Sequence, residues 1–244
     1  MSKKFNRRDF IKASTATTAS VTAVASGITL TTFAASETPV TNEKRWGMLV
    51  DTNKLSENDI DNMVSACQQE HGWGGEIHST NEQKPAWIKN IKVQDKATKK
   101  ITNLPLMCQH CEQPPCVDVC PTNASVRRAD GIVLVDKHLC IGCRYCMMAC
   151  PYDARSFVHE NLTEQKEHSP RGKGTVESCT MCVHKVDKGE QPACVASVSA
   201  KSDAVIFGDL YDSSSNINQT LKQVQSTQIR ADMNLNTGVR YSGI

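Results

Sequence analysis

Apolar residues in this chain occur in short runs separated by long polar segments, a pattern that predicts short strands, short helices and long loops. Runs of β-branched or aromatic residues bounded by turn residues are typical of strands. Four such runs are expected to form strands: Met48 to Val50, Trp87 to Val93, Gly131 to Asp136 and Ala204 to Gly208. A charged turn is expected at 95–100, and a helix around 219–226.

The polar segments carry less information. Residues 55–75 are mostly polar and contain a single cysteine, Cys67. Residues 161–176 are polar and glycine-bearing, so an exposed loop is expected there. The final seven residues, 238–244, are expected to lie over the surface or against a partner.

Composition points to the cysteines as the element that holds the fold together. The 244 residues leave room for one or two domains. Aromatic residues make up only 5% of the chain, whereas there are twelve cysteines. A core with so few large side chains needs other links, and cysteine chemistry can supply them.

The N-terminus resembles an export signal. Residues 3–12 are basic, a soft apolar stretch follows from Ala13 to Leu30, and small residues stand at Ala34 and Ala35. The Arg7-Arg8 pair before Asp9-Phe10-Ile11-Lys12 resembles the twin-arginine signal, which exports proteins already folded. We therefore expect residues 1–35 to be a signal peptide and the chain to be periplasmic; the alternative is an N-terminus that is amphipathic by chance.

The rest of the chain argues against two kinds of partner. Five of the 28 basic residues and one of the 26 acidic residues lie in 1–35, so the remainder carries about two more acidic than basic residues. Binding to nucleic acid requires a marked basic face, which this balance does not favour. Beyond the N-terminal region no run of about 18 apolar residues occurs, so the mature chain is expected to have no membrane span of its own.

Two cysteine runs carry the chemistry. Residues 108–121 read CQHCEQPPCVDVCP and residues 140–151 read CIGCRYCMMACP. Four cysteines with the last followed by proline match the bacterial ferredoxin pattern for iron-sulfur clusters, in which the fourth cysteine of each run binds the other cluster. This predicts two 4Fe-4S ligand sets: set A, Cys108, Cys111, Cys116 and Cys150, and set B, Cys140, Cys143, Cys146 and Cys120.

Other cysteine chemistries fit less well. A zinc ribbon needs two C-x2-C pairs per metal and no third cysteine followed by C-P. Disulfides are common in exported proteins, but C-x2-C-x2-C spacing suits a metal better. A c-type haem needs C-x-x-C-H, and the residues that follow the C-x-x-C pairs are Glu112, Arg144, Met147 and Val183. Covalent haem is therefore excluded.

Over residues 45–210 the chain resembles the iron-sulfur subunits of membrane-bound respiratory complexes. These include the electron-transfer subunits of dimethyl sulfoxide, polysulfide and tetrathionate reductases and of the nitrite- and sulfite-reduction complexes. The motifs that carry the resemblance are WGMLVDTNK, the two cysteine runs, DGIVLVD, CTMCVHKVDKGEQPAC and IFGDLYD. The resemblance implies an α+β fold of tandem ferredoxin-like modules, each built for two 4Fe-4S clusters.

Members of that family usually have four cysteine runs and four clusters, and this chain departs from the pattern. The first run is absent in either possible register, which would place it at Leu55, Asn58 and Asp61 or at Glu57, Ile60 and Met63. In the last run the fourth position is Val198, followed by Ser199. Under the family's cross-ligation all the missing ligands would serve one cluster. The remaining cysteines form a complete set C: Cys179, Cys182, Cys194 and Cys67.

The sequence therefore predicts three 4Fe-4S clusters and one vacated site. The alternative is that Cys67 is an ordinary buried thiol and that the last trio binds a three-iron cluster or nothing. Beside the cysteines, His110 and His184 are not expected to bind iron, and they are taken as surface residues or as hydrogen-bond donors to sulfide. Tyr145 and Tyr152 are expected to pack on clusters or on the fold.

The resemblance implies electron transfer and not catalysis. The expected partners are a polytopic quinol-oxidising membrane subunit, to which the chain would be peripherally attached, and a reductase or multihaem cytochrome docked near the vacated end. A sensor or scaffold stabilised by its clusters is the alternative. The expected domains are the signal peptide, a module with one vacated site, a two-cluster module and a C-terminal extension: 1–35, 36–103 with 160–210, 104–159 and 211–244.

Overall fold

The computed structural model of the chain describes residues 41–74, 83–162, 165–199 and 203–244. The predicted signal peptide, residues 1–35, lies outside these ranges. In the described parts of the chain no helix is long and apolar enough to span a membrane.

Short strands and short helices connected by loops make up the fold, which confirms the predicted α+β class. The strands are β1 Trp46–Asp51, β2 Ile88–Gln94, β3 Ile101–Met107, β4 Ser125–Arg127, β5 Val133–Val135, β6 Arg155–Phe157, β7 Val176–Ser178, β8 Val205–Asp209 and β9 Val239–Ser242. The helices are α1 Glu57–His71, α2 Pro115–Asp118, α3 Tyr145–Ala149, α4 Val183–Val186, α5 Ala193–Ser199 and α6 Asn216–Gln223, with a 3₁₀ turn at Ala231–Met233.

Four small sheets organise the chain. The largest has the strand order β8-β1-β9, in which β1 is antiparallel to β8 and parallel to β9. The other three are antiparallel pairs, β2 with β3, β4 with β5 and β6 with β7. All four strands predicted from the apolar runs are present, and the charged turn at 95–100 connects β2 to β3.

Helix α1 was not predicted, because most of its residues are polar. Its N-terminus has a capping box between Ser56 and Asp59, and its C-terminus ends at Gly72 in the left-handed conformation, with φ 68°. The buried positions are Ile60, Met63, Cys67 and His71, which recur at the three-to-four residue spacing of one helix face. This face places Cys67 in the interior, where α1 packs against α5.

The C-terminal prediction was wrong. Residues 239–242 do not lie loosely over the surface but form β9, which pairs with β1. Tyr241 is fully buried, and its hydroxyl donates to the carbonyl oxygen of Pro105 at 3.0 Å and accepts from Gln109 Nε2 at 3.1 Å. The end of the chain is therefore part of the central sheet. The helix expected at 219–226 is present but lies earlier, at Asn216–Gln223.

The loop at 161–176 was predicted to be exposed and is partly buried instead. Arg171 is 6% exposed, and the carboxylate of Glu177 is fully buried. Arg171 Nε donates to Glu177 Oε2 and Arg171 Nη2 donates to Glu177 Oε1, each at 2.9 Å. It also donates to the carbonyl oxygen of Gly72 at 2.7 Å. Such a double contact satisfies both charges away from water. The loop is thereby held against the end of α1.

Candidate metal centres

The first C-x-x-C loop of each cysteine run has the same backbone conformation. The residue before the second cysteine has a positive φ in each loop, 44° at His110, 72° at Gly142 and 55° at Met181. Position 142 has no room for a side chain, because a Cβ there would collide with the carbonyl oxygen of Gly174. The left-handed residue turns successive backbone N-H groups toward one side, which suits an anionic sulfur site. The third run thus folds like the two ferredoxin-type runs.

The cysteines of set B line one cavity. The fourth cysteine of the first run, Cys120, joins the first three of the second run across this cavity, as cross-ligation predicts. Two backbone N-H groups point at its sulfurs, from Ser125 to Cys120 and from Val176 to Cys140, both at 3.4 Å. The cysteines that line it are Cys120, Cys140, Cys143 and Cys146.

The cysteines of set A line a second cavity. Here Cys150 of the second run meets the first three cysteines of the first run. Tyr152 is 4% exposed and lines the same cavity, whereas Tyr145 is 58% exposed. The cysteines at this cavity are Cys108, Cys111, Cys116 and Cys150.

Set C is gathered where α1 meets the last cysteine run. The thiol of Cys67 interacts electrostatically with Cys194 and Cys182, and that of Cys179 with Cys67 and Cys194. None of the four residues is more than 6% exposed. Helix α1 therefore brings Cys67 to a trio that lies more than 100 residues later in the sequence.

Two side chains on α1 and just beyond it reach the sulfurs of set C. The indole N-H of Trp73 donates to Cys67 Sγ at 3.2 Å. His71 Nε2 lies 3.2 Å from Cys182 Sγ, and its Nδ1 lies 2.9 Å from the hydroxyl of Ser169. Hydrogen bonds to ligand sulfurs tune the potential of an iron-sulfur centre. Spacing alone did not indicate either residue.

The protonation chemistry of the thiols fits a site built for iron. Burial, together with neighbouring thiols, raises the pKa of Cys111 and of Cys194 to about 12. Burial also raises the pKa of Cys182 to about 11. Four adjacent thiolates are unfavourable in such an environment unless a cation compensates their charge. None of the twelve cysteines, all of which lie in the described residues, is paired in a disulfide.

Some of the positions where the family's first and last runs would carry further cysteines are buried in the apolar core. Of the two registers considered from the sequence, Ile60 and Met63 are fully buried on the same helix face as Cys67, whereas Asn58 and Asp61 are exposed. Val198 on α5 is 1% exposed and belongs to the same core. In the same registers Leu55 is also buried and Glu57 is exposed, so hydrophobic packing occupies part of each register.

A buried guanidinium, Arg155, lies between sets A and B. Arg155 is 2% exposed and interacts electrostatically with Cys116 and Cys108 of set A and with Cys146 of set B. Its Nη1 donates to the hydroxyl of Ser125. Its Nη2 is buried with no nitrogen or oxygen acceptor among the described residues, and the guanidinium interacts with the thiol of Cys146. A buried cation needs a negative partner, and thiolate-bound clusters on both sides would provide one.

Interactions between residues of different cysteine sets indicate the order of the sets in space. Arg155 connects set B to set A, and Cys179 of set C interacts electrostatically with Cys108 of set A. Set A therefore lies between the other two. Cys143 of set B is exposed at one end of this row, and the sulfurs of set C are buried at the other.

The two histidines beside cysteines have other roles. His110 is only 2% exposed, so the first of its two expected roles, that of a surface residue, is wrong. Its Nδ1 accepts a hydrogen bond from the backbone N-H of Val133 at 3.0 Å. Burial, with the nearby Arg155 charge, lowers the pKa of His110 to about 3, so the ring is neutral. His184 contacts Glu70 instead of a cysteine, with 2.7 Å between His184 Nε2 and Glu70 Oε1.

Comparison with known proteins places this arrangement in a family. Residues 99–209 match the family described as "4Fe-4S dicluster domain". The chain is 38% identical to the "Hdr-like menaquinol oxidoreductase iron-sulfur subunit 1" of Archaeoglobus fulgidus, over 87% of this chain and 88% of that protein. It is 34% identical to one of the chains of the polysulfide reductase of Wolinella succinogenes, over 73% of this chain and 83% of the relative.

A further relative matches over a smaller part. One of the subunits of the tetrathionate reductase of Salmonella typhimurium is 44% identical over 56% of this chain and 50% of its own length. The family match at residues 99–209 includes the cysteine-rich centre. The chain therefore belongs to the 4Fe-4S dicluster iron-sulfur subunits, the non-catalytic electron carriers of respiratory oxidoreductases.

Proposed function

We propose that this chain is a periplasmic electron-transfer subunit that carries three 4Fe-4S clusters in anaerobic respiration. The observation that carries the proposal is that all twelve cysteines fall into three groups of four. Two groups line separate cavities, and the third is buried between α1 and the last cysteine run. The proposed ligands are set A, Cys108, Cys111, Cys116 and Cys150; set B, Cys140, Cys143, Cys146 and Cys120; and set C, Cys179, Cys182, Cys194 and Cys67.

Clusters held by four cysteines each supply one-electron transfer and leave no position open for a substrate. The protein's own contribution is to hold the thiolates, to exclude water and to set the local charge. Arg155 places a positive charge between sets A and B, and Trp73 donates a hydrogen bond into set C. These features are those of an electron carrier with tuned potentials.

The exposed end of the row of clusters is the proposed contact with a redox partner. Four large apolar side chains around Cys143 face solvent, and they are 51 to 83% exposed: Leu139, Ile141, Tyr145 and Met148. Exposed apolar patches beside functional groups are typical of interaction surfaces. We propose that the membrane quinol-oxidising subunit docks at this end. The reductase or multihaem cytochrome would then dock near the vacated end.

The proposed location rests on the N-terminal pattern and on assembly. Clusters must be inserted before export, and the twin-arginine signal that Arg7 and Arg8 resemble is one for folded proteins. The chain would then be attached to the membrane through its partner subunit. Fractionation of cells into cytoplasm, periplasm and membrane, with and without an Arg7→Lys, Arg8→Lys exchange, tests this location.

A docking experiment distinguishes an electron carrier from a cluster-stabilised sensor or scaffold. In the complex with its membrane subunit, an Ile141→Asp variant should keep its iron content and its reversible one-electron EPR signals, but reduction by quinol should slow by about tenfold or more. A charge in a desolvated contact centre costs this much or more. The control is Ile101→Asp, because Ile101 is 61% and Ile141 66% exposed but Ile101 lies on the β2-β3 hairpin.

Two results would count against the proposal. Clusters without reversible one-electron signals, or clusters that quinol and the membrane subunit fail to reduce, would favour the sensor or scaffold. Equal rates for the wild type and Ile141→Asp would show that the contact lies elsewhere.

Trp73 offers a test of set C that leaves the ligands intact. A Trp73→Phe variant keeps the apolar ring but loses the N-H that donates to Cys67 Sγ. Because that hydrogen bond stabilises the more negative, reduced state, we expect the potential of one cluster to fall by several tens of millivolts, equivalent to roughly 1 kcal/mol. Potentiometric EPR measures this, with Trp46→Phe as the control at a stacking tryptophan on β1. A shift in all clusters, or in none, would contradict the assignment.

A further inference from the structure

A group of side chains that no iron site uses lies on the outer side of set C. Glu70, His168 and His184 each offer one ligand atom, and these atoms lie within 4.8 Å of one another. Glu70 Oε1 is 2.7 Å from His184 Nε2 and 3.3 Å from His168 Nε2. The imidazole rings of the two histidines are 4.3 Å apart between centroids and inclined by 33°.

Three separate segments bring this group together. Glu70 belongs to the last turn of α1, His168 to the loop before β7, and His184 to α4, two residues after Cys182. The separations in sequence are 98 residues from Glu70 to His168 and 114 from Glu70 to His184. Only the tertiary structure therefore reveals the group.

The donor set and its exposure fit a metal ion that enters from solvent. The side chains of His184, Glu70 and His168 are 16%, 22% and 39% exposed, so the group is sheltered but open on one side. Two histidines and one carboxylate with a free fourth position are a ligand set that zinc uses. Imidazole is also a common ligand for other divalent first-row metals.

The carboxylate of Glu70 contacts His184 closely and Lys185 only distantly. Lys185 Nζ is 3.9 Å from Glu70 Oε2 but only 3.0 Å from Glu190 Oε2, so its closer partner is Glu190. His168 Nε2 also lies 2.8 Å from the backbone carbonyl oxygen of Glu70. When a metal binds, this ring nitrogen turns its lone pair to the metal and the contact with the carbonyl is given up.

We propose that Glu70, His168 and His184 bind one divalent transition-metal ion of the zinc type. The ion would stabilise the residues that surround set C. Glu70 and His168 are next in sequence to His71 and Ser169, which contact each other at 2.9 Å, and His71 lies 3.2 Å from Cys182 Sγ. It would join α1, the loop before β7 and α4 over the third group of cysteines. This role does not depend on whether the chain passes electrons.

Zinc titration of the cluster-loaded full chain tests the proposal. Competition with a chromophoric chelator should reveal one Zn²⁺ per chain in addition to the iron. His168→Gln and His184→Gln should each weaken binding by more than about 100-fold, beyond the 10- to 100-fold loss that removal of a supporting partner causes. The matched control is His138→Gln, at an exposed histidine outside the group, and it should leave the affinity unchanged.

X-ray absorption at the zinc edge separates this site from misloading of a cysteine set. Zinc at the proposed site has nitrogen and oxygen ligands at about 2.0 to 2.2 Å, whereas zinc among cysteines shows sulfur at about 2.3 Å. Iron content and visible absorption of each variant confirm that it is folded and loaded. Sulfur ligation, the absence of stoichiometric binding, or equal affinity in the wild type and both glutamine variants would overturn the proposal.

Discussion

Replacing Cys67 with serine is expected to lower the iron content from about twelve atoms per chain to about eight, because one complete 4Fe-4S cluster loses a ligand. Cys67 is 3% exposed and its thiol interacts with those of Cys194 and Cys182, so no other cysteine within the described residues is left to replace it. Iron and acid-labile sulfide analysis, with EPR of the reduced protein, measures the loss. The signals of the other two clusters should remain.

A packing control separates loss of a ligand from loss of stability. Met63 lies one turn earlier on the same face of α1 and is fully buried, but it has no place in a cysteine set. Met63→Ala should destabilise the protein by about 2 to 5 kcal/mol through the cavity it leaves, with the iron content unchanged. If Cys67→Ser keeps the wild-type iron content, Cys67 is an ordinary buried thiol and the three-cluster assignment fails.

Replacing Arg155 with methionine is expected to lower the potentials of two clusters together. A unit charge about 6 Å from a cluster interacts by about 3 kcal/mol at an effective dielectric constant of about 20. Loss of this charge removes stabilisation of the reduced state, which corresponds to a fall on the order of 100 mV. Sets A and B should both shift, because Arg155 interacts with Cys116 and Cys108 on one side and with Cys146 on the other.

Set C provides the internal reference for this experiment, and Arg155→Lys provides the conservative variant. The lysine keeps the positive charge, so its potentials should stay closer to those of the wild type. Potentiometric EPR of the three clusters in each variant makes the comparison. A uniform shift of all three clusters would indicate a general change of structure, and unchanged potentials of A and B would show that Arg155 has no electrostatic role.

The cysteine spacing allowed more of the site to be predicted than of the fold. Ligands from the ferredoxin-type runs are close in sequence, and the cross-ligation pattern pairs Cys120 and Cys150 with the other run, where the structure places them. The strands were also predictable, because runs such as Val133–Val135 are apolar and β-branched. Both signals are local, so they can be recognised without knowledge of the rest of the chain.

Helix α1 was predictable in principle but was missed. Ser56 and Asp59 form a capping box, and Ile60, Met63, Cys67 and His71 repeat at helical spacing. The polar residues between them concealed the pattern. Recognition of this helix would have placed Met63 and Cys67 on the same buried face.

The sequence by itself predicted the 4Fe-4S chemistry, the two ferredoxin-type groups of cysteines and the α+β class, since these depend on residue type and short spacing. Only the tertiary structure decided that β9 completes the central sheet, that Arg155 lies between two cysteine sets and that Glu70 meets His168 and His184. The physical reason is that such contacts join residues far apart in the chain. Their energy comes from burial, charge and packing in the folded protein, and no local pattern of residues encodes them.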